Sequence, residues 1–88
     1  MKTLHWIRDN SLSAWLEMHS HLLGQDDAFL VSEQALKTLT DSSPVAQTVY
    51  ARKSDIEISK ATEPNYLVVK SDEEWVELVL SFQQQMTW

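Results

Sequence analysis

The sequence predicts an α/β fold: a small three-layer domain over residues 1–88 with a mostly parallel sheet of about four strands. Two observations carry that prediction. Short runs of β-branched, aromatic and aliphatic residues alternate with segments whose apolar residues recur every three or four positions, which is strand and helix in turn. One such run, Ala28-Phe29-Leu30-Val31, is apolar throughout and bounded by Asp26-Asp27 and Ser32, as expected of a strand covered on both faces. Strands alternating with helices pair in parallel through right-handed crossovers, which points away from a bundle or a sandwich.

Taken in order, Thr3-Leu4-His5-Trp6-Ile7 reads as a short buried strand that meets a polar break at Arg8-Asp9-Asn10, where a helix cap is expected. From Ser11 the period changes. Leu12, Trp15, Leu16, His19, Leu22 and Leu23 share one helix face, and Gly24, the only glycine, stands where a left-handed helix stop is expected. After the strand 28–31, Ser32 opens a short helix through Ala35, Leu36 and Leu39, which Asp41-Ser42-Ser43-Pro44 ends. Residues 45–51 return to strand character around Thr48-Val49-Tyr50. The stretch 52–65 has too few apolar residues to set a period, and an irregular turn is expected there. Residues 66–69 form a fourth strand, and Ser71-Asp72-Glu73-Glu74 matches a capping box whose acidic first turn suits the helix dipole.

The last helix is expected to carry Trp75, Leu78, Val79, Phe82 and Met86 in one stripe over the sheet, with Val76 and Leu80 beside it. At that pitch Trp88 lies roughly 220° from Trp75 and cannot share the same core contact unless the chain unwinds. Two readings follow. Either the last turn frays and the indole folds over its own domain, or Met86 and Trp88 anchor another subunit, since Met and Trp are enriched at interfaces.

Composition narrows the function. A chain of 88 residues buries about 60–65% of its unfolded surface, so its own core is thin and stabilising partners are plausible. A net charge of −6 argues against direct binding to nucleic acid or anionic lipid, which requires Lys and Arg against phosphate. The absence of cysteine excludes disulfides, thiolate metal sites and any thiol nucleophile or persulfide carrier on this chain. Residues 1–12 do not read as a signal peptide, and there is no apolar run of roughly 18 residues, so a cytoplasmic protein without membrane association is expected.

No catalytic, cofactor or metal site is expected. His19 and His21 point about 200° apart on a helix and cannot share an ion, and no Ser/His/Asp spacing builds a nucleophile. His5 reads as a hydrogen-bonded core residue. The carboxylates Asp26-Asp27 and Asp72 to Glu74 read as solubilising and capping groups, and one glycine cannot make a phosphate-binding loop. Trp6, Trp15 and Trp75 read as core aromatics, and Arg52-Lys53 is too small a basic pair for an RNA footprint.

The start "TLH", the run "DDAFLV" leading into a helix, the strand "VYA" and the ending "EWVELVLSFQQQMTW" together resemble the TusB/DsrH family of sulfur-relay subunits. The ending is the most specific part, with Glu74 to Leu78 and Gln85 to Trp88 at the family's separation. The resemblance implies a DsrEFH-like fold and assembly with DsrE/TusD-like and DsrF/TusC-like subunits in a heterohexamer. Such complexes relay persulfide sulfur, toward 2-thiolation of tRNA wobble uridine or within sulfur oxidation. Lacking a thiol, this chain would be the non-catalytic docking partner, with Met86, Trp88 and Tyr50 as candidate interface residues and self-association open to the isolated chain. The runner-up is a free-standing small α/β ligand-binding protein. The chain departs from the family in reading Ser32-Glu33-Gln34-Ala35 where an acidic-Gly-Val turn is common, and over 52–64, where only Asp55-Ile56 match.

Overall fold

A computed structural model describes residues 2–39, 42, 45–59 and 64–88. Five strands, β1 Thr3–Ile7, β2 Ala28–Val31, β3 Val49–Arg52, β4 Leu67–Lys70 and β5 Gln84–Thr87, form one all-parallel sheet in the order β4-β3-β2-β1-β5. Four helices connect them: α1 Leu12–His19, continued by a 3-10 turn Ser20–Leu22, then α2 Glu33–Lys37, α3 Lys53–Ser59 and α4 Asp72–Leu80. The first three crossovers each step one strand in the same direction, and right-handedness therefore puts α1, α2 and α3 on one face. The last crossover returns across the whole sheet, so α4 lies on the other face. The domain has three layers.

Each face has its own core. Ile7, Phe29, Val31, Val49, Ala51 and Leu67 pack under Leu12, Trp15, Ala35 and Leu36 on the first face. On the second, Leu4, Ala28 and Leu30 meet Trp75, Val79 and Phe82 of α4, with Trp6 and Tyr50 beside them. The strand β2 is buried at all four positions because alternate side chains feed both cores.

The capping residue of α1 is Ser11 rather than a residue of the preceding polar break: its Oγ accepts from the Ala14 N–H at 3.1 Å. At Ser71 both bonds of the capping box form, Glu74 N–H to Ser71 Oγ at 3.3 Å and Ser71 N–H to Glu74 Oε1 at 3.1 Å. Gly24 is not a left-handed stop, since no glycine has positive φ. It permits a close approach instead, because a Cβ there would sit 3.3 Å from Asp27 Oδ1. The expected break at Asp41-Ser42-Ser43-Pro44 falls mostly outside the described residues, and β3 begins at Val49 rather than near 45.

Two expectations are overturned. Residues 53–59 are helical, not an irregular turn. Ile56 is the residue of α3 that packs on the core while Ile58 is 82% exposed, so no period could emerge. The last helix, in turn, does not run to Trp88. It stops at Leu80, where the Ser81 N–H donates to the Glu77 and Leu78 carbonyls, and the chain becomes a fifth strand. Gln83 and Gln84 N–H donate to the Lys2 carbonyl and Trp88 N–H to the Trp6 carbonyl at 2.8 Å, so β5 satisfies the outer edge of β1. The exposed edge of a buried central strand competes better for these donors than two more helical turns whose Trp88 would face water.

Candidate functional site

The unwinding after Leu80 determines where Trp88 goes. Met86 pairs with His5 and Thr87 with Trp6, so strand alternation turns Met86 and Trp88 to the α1 face. There the Trp88 ring meets Trp15 edge-on at 5.5 Å and His19 at 4.6 Å, and stacks beside His5 at 6.3 Å. Its indole N–H donates to His5 Nδ1 at 3.3 Å.

That bond assigns the tautomer of His5. With Nδ1 accepting, the proton is on Nε2, which donates to Asp27 Oδ2 at 2.9 Å. Asp27 also accepts from Thr3 N–H at 3.0 Å and Gly24 N–H at 2.9 Å. Burial pushes the Asp27 carboxyl up, but the hydrogen bonds from Gly24, His5 and Thr3 outweigh it and hold its pKa below the ordinary carboxylate value. Asp27 is thus no solubilising group, contrary to the expectation from sequence. It ties the start of β1, the Gly24 turn and the head of β2 together. The His-Asp pair has the elements of a general base, yet His5 is 1% exposed and both ring nitrogens are engaged, so no substrate reaches it.

Tyr50 is not brought together with Met86 and Trp88. It lies two strands away from β1 on the α4 face, half-buried, with the Lys70 ammonium 5.8 Å from its ring. Of the three, Met86 on β5 and Trp88 just past its end are neighbours, both half-buried. The surface around them includes Leu22, which sequence reasoning placed on the core face of the first helix, Val76 and Leu80, which it placed beside the stripe of the last, and Met18, to which it gave no role. Met18 on α1 is 69% exposed and Leu22, in the 3-10 turn that follows, 49%; they stand three residues on from Trp15 and His19, the two rings that meet Trp88. On the opposite face Val76 is 49% exposed and Leu80, one turn on along α4, 79%, both on the side of the helix away from Leu78, which lines a groove together with Tyr50. Their position off the Trp75 stripe was the available signal.

A second feature lies at the carboxyl ends of β1, β2 and β3, where ligands of α/β sheets usually sit. An open groove of about 380 Å³ is lined by Asp9, Glu33, Gln34, Lys37, Asp55 and Ile58. Glu33 has φ 54°, a left-handed conformation rare for a non-glycine, and its carboxylate accepts from Arg8 at 3.0 Å. Arg52 is held by both Asp55 oxygens, at 2.8 and 3.0 Å, and its guanidinium lies 5.5 Å from the Trp6 ring and 5.0 Å from Trp75. The basic pair noted in the sequence is therefore half consumed internally. Among the described residues, no group of three or more His, Asp or Glu side chains is arranged to hold a metal ion, and no helix is long and apolar enough to cross a membrane.

Compared with protein-family models and with curated proteins, the chain matches none.

Proposed function

We propose that this chain is a non-catalytic subunit of a cytoplasmic sulfur-relay complex, holding in place the cysteine-bearing subunits that pass persulfide sulfur toward 2-thiolation of tRNA wobble uridine. The observation that carries the reading is the surface around β5. A chain with no thiol presents an uncharged edge strand flanked on one face by exposed Met18 and Leu22 and on the other by exposed Val76 and Leu80. Exposed apolar side chains gathered around one edge mark a contact surface rather than a reaction centre. The resemblance in "EWVELVLSFQQQMTW" supplies the pathway and the partners, DsrE/TusD-like and DsrF/TusC-like subunits in a heterohexamer. A DsrEFH-type complex of sulfur oxidation would use the chain in the same structural role.

Co-expression with two such cysteine-bearing subunits tests this. The chain is expected to co-purify in one stable assembly, and introducing a charge at Leu80 or Met18 is expected to weaken its retention. Partners that assemble fully while this chain elutes alone would refute the reading. The groove at the carboxyl ends of the strands favours the second reading, a free-standing small-ligand protein. Of the carboxylates on its walls, Glu33 is held by Arg8 and Asp55 by Arg52, so Asp9, Gln34 and Lys37 set its polarity and a small polar ligand rather than a cation would suit it.

A further inference from the structure

The strand β5 is an edge, and its free side has a particular pattern. Gln84 and Trp88 direct their N–H groups to β1, so strand alternation turns the N–H and C=O of Gln85 and Thr87 outward. Edge strands of natural proteins are usually blunted by Lys, Pro or a bulge. The far edge, β4, ends in Lys70, but residues 81–88 carry no charged side chain at all in a chain of net charge −6. An open, uncharged edge of this kind is a template for another strand.

We infer that β5 pairs antiparallel with β5 of a second copy of this chain, joining two five-stranded sheets into one of ten strands. The register follows from the free groups. Gln85 faces Thr87 of the partner copy, and Thr87 faces the partner's Gln85, giving four backbone hydrogen bonds. Met86 then sits opposite the partner's Met86 on the two-fold axis as a non-hydrogen-bonded pair, the closer of the two antiparallel pair types. A register centred on Gln85 would call on Gln83, whose N–H already donates to the Lys2 carbonyl.

Three features favour a second copy over an unrelated strand. The pattern of outward groups is its own complement, so no free donor or acceptor of Gln85 or Thr87 is left over. A strongly acidic chain can meet itself only where charge is absent, and β5 is that place. A short ladder alone falls short of the roughly 1,200 Å² of a stable interface, and the exposed apolar side chains of Met18, Leu22, Val76 and Leu80 are the ones that would extend it on the two faces. Pairing of β5 with β4 of another molecule would instead propagate as an open fibre.

Sedimentation of the full chain tests the inference, with the 10.2 kDa monomer as reference. A species of twice that mass is expected at micromolar concentration. Gln85→Pro removes one outward donor per copy and none of the bonds to β1, so dissociation is expected to strengthen about tenfold or more while circular dichroism stays that of the native chain. Because the chain has no cysteine, Met86→Cys should form a disulfide-linked dimer on mild oxidation, whereas Gln85→Cys should cross-link poorly. A monomer at 100 µM, or cross-linking at Gln85→Cys but not at Met86→Cys, would overturn the proposal. The relay reading uses the same edge, so in the isolated chain a second copy occupies β5 and in the complex a cysteine-bearing subunit would displace it: a dimer that ignores cysteine-bearing subunits refutes the relay role alone, and a chain that binds them without ever self-pairing refutes the dimer alone.

Discussion

Asp27 is the residue on which most of the local order converges. Its carboxylate, 6% exposed, accepts from two backbone N–H groups and from His5. Asp27→Asn replaces one accepting oxygen with an amide that donates, leaving donor against donor in a buried site. The expected loss is about 2–3 kcal/mol, measured by urea unfolding. The pH dependence has a definite sign. The folded pKa lies below the unfolded value of 3.8, so the stability Asp27 contributes is fully present above that value and is lost as pH falls through the folded pKa. The variant should lose part of the acid limb of the stability profile; an unchanged limb would mean that the carboxylate is not the linked group. In the sequence, Asp27 was legible only as a polar residue before a buried strand, because its three donors come from positions 3, 5 and 24.

At the scale of elements, β5 decides how the chain is to be understood. The apolar spacing of Phe82 and Met86 continued the helical stripe of α4, but Gln84, Met86 and Trp88 also alternate, and both periods fit so short a segment. What resolved the tie was tertiary: the outer edge of β1 offered the carbonyls of Lys2 and Trp6. The capping box of α4 and the strands β1, β2 and β4 were legible because each is specified by contiguous residues. The helix α3 was not, since a short helix with one inward residue leaves no periodic trace. Trp88→Ala tests β5 directly. The half-buried indole packs on Trp15 and His19, so a loss of about 2 kcal/mol is expected, below the 3–5 of a fully buried Trp. Faster hydrogen exchange at the Trp88 amide should accompany it. A cost within about 0.5 kcal/mol would be that of a surface residue and would contradict the docking.

For the whole molecule, the layer order follows from crossover handedness alone once the strand order is given. One helix over a five-stranded face, three over the other, leaves the molecule unequally covered. Val68 on β4, on the face that α4 alone covers, accordingly remains exposed. The fold class was legible from the alternation of periods, whereas the surface was not, because exposure of Met18 or Leu80 depends on which neighbours the topology supplies.

The most direct test of the proposed role is transfer of labelled persulfide sulfur to tRNA by a reconstituted relay, with and without this chain. The account predicts that omitting the chain lowers transfer at least tenfold, while the chain alone carries no label. Undiminished transfer in its absence, or label bound covalently to the chain itself, would contradict it.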